Sequence, residues 1–113
     1  MGDLTPATIV TTLSQIGREL DAIASSVESL DHAHVMAKVG YRKAYAREFL
    51  GATGSNDVRR YVAEQATADD FLAVELAEQV LRAGKESLRV LRDRLEIGRS
   101  LGAVMRLEWS GQS

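Results

Sequence analysis

The sequence contains no cysteine, which excludes disulfides, thiolate zinc sites and cysteine nucleophiles at once. Proline occurs once, at Pro6. A chain that avoids proline after its first turn is free to be nearly all helix. Aromatic residues are also few, and Tyr41, Tyr45, Phe49, Tyr61 and Phe71 gather in the middle of the sequence. No apolar run is long enough for a membrane span, and no charged leader with an apolar core reads as a signal peptide. The expectation is therefore a cytoplasmic protein without membrane contact. A net charge of −2 gives no global field to attract nucleic acid.

What is present is a periodic apolar pattern. Ile9, Leu13, Ile16, Leu20, Ile23, Val27, Leu30, His34, Ala37 and Tyr41 follow one another by alternating steps of four and three. That 3.5-residue repeat keeps one helix face turned toward a partner. Thr5 followed by Pro6 is a helix start, because Thr5 caps free N–H groups and proline suits the first helical position. Nothing stops this helix before about Leu50; Gly17 and Gly40 weaken it by roughly 1 kcal/mol each without ending it.

The stretch Gly51-Ala52-Thr53-Gly54-Ser55-Asn56-Asp57 is the one clear break. Gly51 or Gly54 suits a left-handed cap, and Ser55, Asn56 and Asp57 are N-cap types for the next helix. A short segment over 58–66 follows, with Val58, Tyr61 and Val62 on one side. Thr67-Ala68-Asp69-Asp70 offers a second cap signal, with acids that complement the helix dipole. From 68 to 109 the repeat returns as Val74, Ala77, Leu81, Gly84, Leu88, Leu91, Leu95, Gly98, Gly102, Met105 and Trp109. Residues 110–113 read as a frayed tail.

The expected fold is all-α: one domain forming an elongated antiparallel helical hairpin, or coiled coil, with helices over 6–50, 58–66 and 68–109. The last helix carries a second apolar stripe, Leu76, Val80, Ala83, Val90, Ile97, Leu101 and Val104, wider than one antiparallel partner covers. A two-rod hairpin also buries little surface per residue. A homo-oligomer is expected, a dimer before larger assemblies, with Leu76, Val80, Val90, Ile97, Leu101 and Val104 as its interface.

Charge is blocked along the chain. Residues 1–37 carry five acids and one base, and 38–47 carry Lys38, Arg42, Lys43 and Arg47. Residues 48–81 carry seven acids and two bases, and 82–108 seven bases and four acids. Placing opposite blocks side by side favours a register in which partner residue numbers add to about 118 over one in which they add to about 105. In the favoured register Gly17 approaches the Gly98–Gly102 region.

Candidates for chemistry are sparse. His32 and His34 point to different sides of a helix and cannot share a metal; Glu28 with His32 makes a pair, and two ligands make no site. His34 falls in the seam, where a polar residue fixes register. The Gly51–Gly54 loop lacks the lysine of a P-loop and the strands of a KH fold, and reads as a capping turn. No Ser/His/Asp or paired-carboxylate set converges by spacing, so no enzyme, metal or cofactor is expected. Arg82, Lys85, Arg89, Arg92, Arg99 and Arg106, with Arg59 and Arg60, form a basic series able to follow a phosphate backbone or meet an acidic partner, although Glu86, Asp93 and Glu96 interrupt it. The aromatic cluster near the bend reads as a small core closing that end, or else as a partner-binding knob.

The runs KAYAREFLGATGSNDVRRYVAE and ELAEQVLRAGKESLRVLRDRLEIGRSLGAVMRLEW resemble a group of small helical proteins of unassigned function encoded by actinobacterial phages and prophages. The shared features are an Ala/Tyr-rich helix end, a Gly-Ser break, and a closing helix with Arg99-Ser100-Leu101 and Arg106-Leu107-Glu108. The resemblance covers about residues 38–109. It implies a phage gene, acting in a bacterial host cell, of the kind found beside recombination and replication genes; no functional residue is carried over from it. The expected function is a non-enzymatic accessory or adaptor protein in DNA metabolism, binding a phage or host protein or single-stranded DNA. The alternatives are an anti-host or regulatory protein that binds a bacterial target, and a structural virion component.

Overall fold

A computed structural model describes residues 5–111, with side chains described through residue 108. The fold is an all-α antiparallel helical hairpin: α1 (Pro6–Gly51), α2 (Asn56–Ala66) and α3 (Ala68–Gly111). Among the described residues only Thr5, 52–55 and Thr67 lie outside helices. The expected tail is therefore helical as far as Gly111, and Gln112 and Ser113 lie outside the described residues.

The chain divides into two compact units, one joining the described parts of Met1–Ser26 and Gly84–Ser113, the other comprising Val27–Ala83. In the first unit Ile9 and Leu91 are buried, and Leu13, Ile16, Leu20, Ile23, Leu88, Leu95 and Met105 are half-buried. In the second, Ala44, Ala63, Thr67, Val74 and Leu81 are buried, and Val27, Leu30, His34, Ala37, Tyr41 and Ala77 are half-buried. Every member of the two expected seams whose side chain is described is thus at least half-buried; Trp109 lies outside the described side chains. Packing along these seams, more than intrinsic propensity, holds helices of 46 and 44 residues together.

The helix ends follow the local chemistry. The Thr5 hydroxyl accepts from the Thr8 N–H at 3.2 Å, and the Thr8 hydroxyl accepts from the Thr5 N–H at 2.9 Å, a reciprocal cap. After α1 the chain turns at Gly54, whose φ of 111° is left-handed, and Ser55 caps α2 by accepting from the Val58 N–H at 3.3 Å. Thr67 differs from expectation. Its hydroxyl donates back to the Ala63 carbonyl at 2.6 Å instead of capping α3. The joint is a single residue, and α3 opens on the bond from the Phe71 N–H to the Thr67 carbonyl at 2.9 Å.

That joint also corrects the register. In the first unit a Cβ at Gly98 would lie 2.5 Å from Leu13 Cδ2, and one at Gly102 would lie 3.7 Å from Ile9 Cγ2. Partner numbers there add to about 111, neither 118 nor 105. In the second unit Tyr41 meets Phe71 edge-on with ring centroids 5.6 Å apart. Near the bend Ala44 of α1, Ala63 of α2 and Thr67 at the joint are buried, and Glu48 is half-buried. Gly17 does not approach the Gly98–Gly102 region, and a Cβ built on it meets nothing within 4 Å. Charge does not set this register. The ion pairs among the described residues all run within one helix: Arg60–Asp57, Arg82–Glu78, Arg89–Glu86, Arg89–Asp93 and Arg99–Glu96. Exposed pairs of this kind contribute a few tenths of a kcal/mol, less than a knob seated against a glycine.

Candidate interaction surface

Three lines run along α3. The seam faces α1. One residue before seam positions, about 100° around the helix, come Leu76, Val80, Val90, Ile97, Leu101 and Val104, with Ala83, Ser87 and Arg94 at the intervening places. The first six are exposed, from 38% at Val90 to 62% at Ile97. Neither α1 nor α2 covers them. One residue after successive seam positions come Arg82, Lys85, Arg89, Arg92, Arg99 and Arg106, all exposed. In the second unit Arg82 thus follows the seam while Leu76 and Val80 precede it, and in the first unit Lys85, Arg89, Arg92, Arg99 and Arg106 follow it while Val90, Ile97, Leu101 and Val104 precede it.

The basic edge is partly neutralised by its own helix. Arg82 donates to Glu78 at 2.9 Å, Arg99 to Glu96 at 3.2 Å, and Arg89 to both Glu86 and Asp93. The hydrogen bond and charge of Arg89 hold the Glu86 carboxyl below the usual carboxylate range, and Glu86, then Asp93, push the Arg89 guanidinium upward. Lys85, Arg92 and Arg106 make no ion pair among the described residues. At the first unit's free end, Pro6, Ile9, Val10, Leu13, Gly102 and Met105 form an apolar groove of about 570 Å³, rimmed by Arg99 and Arg106. The groove exists because Gly102 offers no side chain to fill it.

The second unit has an apolar surface of its own. Val58, Tyr61, Val62, Phe71 and Leu72 are exposed beside Leu76 and Val80. Tyr41 contacts Tyr45 as well as Phe71, and Tyr45 stacks on Phe49 at 6.3 Å. These rings form a ladder along α1 that is half-buried at Tyr41, Tyr45 and Phe49, and Tyr61 takes no part in it. The α2 face was visible in the sequence as Val58, Tyr61 and Val62; that it points to solvent was not.

His32 is exposed and His34 half-buried, and among the described residues no group of three or more metal-ligating side chains comes together. Arg59 sits at the inner side of α2 with its Nε buried and without a hydrogen-bond partner, a feature no sequence signal announced. No helix is long and apolar enough to cross a membrane among the described residues. No protein-family model, curated protein or solved structure matches this chain.

Proposed function

We propose that this chain is a non-enzymatic accessory protein of phage DNA metabolism, an adaptor that holds a protein partner through α3. The observation that carries the reading is the exposure of apolar residues of α3, Leu76 and Val80 in the second unit and Val90, Ile97, Leu101 and Val104 in the first. Exposed apolar surface gathered on one helix edge marks interaction sites on folded proteins. The ion pairs of α3 agree with a binding role: Arg82, Arg89 and Arg99 pair with acids one turn away on exposed helix faces. The DNA-metabolism context rests on the resemblance of residues 38–109 to phage-encoded proteins. The basic edge offers single-stranded DNA as a second ligand of the same adaptor, through Lys85, Arg92 and Arg106.

The test is affinity capture of the full chain from phage-infected cells, with wild type beside Leu76→Glu. Recovery of a phage recombination or replication protein by wild type, lost in the variant, is the expected result. Recovery of a host factor alone overturns it. That second outcome would instead favour a protein aimed at a bacterial target, a reading supported by the exposed Val58, Tyr61, Phe71 and Leu72 surface of the second unit; Tyr61→Asp would then abolish capture.

A further inference from the structure

The geometry points to a second copy of this chain as the occupant of the apolar line in the first unit. Along that line one charged residue, Arg94, interrupts Val90, Ile97, Leu101 and Val104. The adjoining edge of α1 reads Thr8, Thr12, Gln15, Glu19 and Ala22, all exposed, with one charged residue, Glu19. Glu19 and Arg94 line the same groove between α1 and α3, together with Ile23, Ser87, Val90, Leu91 and Glu86, the last already paired with Arg89, and with residue numbers adding to 113 the two charges stand at one level. They are not paired with each other. Glu19 accepts from Gln15 at 3.4 Å within its own helix, and Arg94 makes no ion pair among the described residues.

The other levels correspond in the same way. With partner numbers adding to about 111 to 113, Val90 stands level with Ala22, Ile97 with Gln15, Leu101 with Thr12 and Val104 with Thr8. Apolar side chains on one edge thus face smaller or polar ones on the other, and a cation faces an anion. A two-fold axis parallel to the helices would lay α3 of each copy over α1 of the other at matching levels. Each helix would then use its seam within the protomer and the face about 100° away between protomers, the two-face pattern of a four-helix bundle. Neighbouring helices would run antiparallel, so their dipoles oppose favourably. Arg94 of each copy would meet the partner's Glu19, twice per dimer.

This inference goes beyond the adaptor reading, since it assigns Val90, Ile97, Leu101 and Val104 of the first unit to a second copy and leaves Leu76 and Val80 of the second unit to the partner, and it has an independent test. Purified wild type is expected to sediment as a dimer and to appear as one in native mass spectrometry. Arg94→Glu and Glu19→Arg, each placing like charges together twice, are each expected to weaken the dimer by about tenfold or more. Mixing the two single variants is the deciding measurement. In the mixed dimer every contact between copies becomes complementary, while within each chain positions 19 and 94 carry like charges. A selective one-to-one heterodimer therefore supports contact between copies and cannot arise from repair within a chain. Circular dichroism of each single variant checks that its helices remain. A monomeric wild type, or single variants that dimerise as well alone as when mixed, overturns the inference. In either case loss of a phage partner from Leu76→Glu would leave the adaptor reading standing.

Discussion

Gly17, Gly98 and Gly102 lie in helices and look alike in sequence, and the structure separates them. Replacing a helical glycine with alanine gains about 1 kcal/mol of backbone propensity, so the neighbourhood decides the sign. At Gly102 the new methyl lies 3.7 Å from Ile9 Cγ2, an ordinary contact, and at Gly17 it meets nothing within 4 Å. Gly102→Ala and Gly17→Ala are each expected to stabilise by about 1 kcal/mol, raising the melting temperature by several degrees. At Gly98 the methyl would overlap Leu13 Cδ2. The overlap costs about 1–3 kcal/mol unless Leu13 rotates away, so Gly98→Ala is expected to melt at or below wild type. Gly54→Ala combines a left-handed φ with a Cβ 3.3 Å from Val58 Cγ1, and an expected loss of about 1–2 kcal/mol follows. Urea denaturation of the four variants checks the order. Glu86 supplies the pH-sensitive counterpart. Its carboxyl is held low by Arg89, so the stability it lends is present above the usual carboxylate range and is lost as pH falls through the lowered folded value. The difference between wild type and Glu86→Gln should vanish in strong acid, and should shrink in high salt because both partners are exposed.

At the scale of the element, Ser55→Ala removes the α2 cap and is expected to cost about 1 kcal/mol. Thr67→Val should cost no more than that, because the Ala63 carbonyl keeps its bond from the Thr67 N–H at 3.0 Å. Equilibrium unfolding of the pair tests whether the joint depends on its backbone or its hydroxyl. The helices themselves were legible in the sequence because a 3.5-residue repeat, one proline and one Gly-Ser break leave little choice. Both seams and both edges of α3 followed from spacing alone. The register did not. It depends on how far α2 continues the course of α3, and a one-residue joint at Thr67 carries the same cap-like letters as a full break. Charge blocks were a poor guide because arginines three or four residues from an acid satisfy it within their own helix, as Arg82, Arg89 and Arg99 do. The α1 edge of Glu19 and Ala22 passed unnoticed for a different reason: it has no apolar signal, and its meaning emerges only beside the level of Arg94.

At the scale of the whole molecule, two consequences oppose each other. Net charge is −2, and half of the basic edge of α3 is already paired within the helix. If Lys85, Arg92 and Arg106 are the groups left to neutralise phosphates, the logarithm of single-stranded DNA affinity should fall with that of salt at a slope of about −2. Lys85→Ala with Arg92→Ala should reduce that slope by more than Arg82→Ala with Arg89→Ala. A fluorescence titration across salt measures it, and a slope near zero would leave the adaptor with protein partners alone. Association between copies should depend on salt far less steeply. The core is thin: among the described residues Ile9, Ala44, Ala63, Val74, Leu81 and Leu91 are the buried apolar side chains. Much of the apolar surface of α3 is therefore still available to be removed from water, at about 25 cal/mol per Å². Burial of that kind is insensitive to screening and is strengthened by sulfate. It also links folding to concentration, because a dimer that forms only from folded chains draws the unfolding equilibrium toward itself. The melting temperature of wild type is expected to rise with protein concentration. That of Ile97→Glu, which places a charge in the middle of the apolar line, is expected to stay constant and to fall below wild type most at high concentration. Thermal melts followed by circular dichroism over a hundredfold dilution decide between them. Parallel behaviour of the two chains would mean that the apolar edge is held for a partner of another kind.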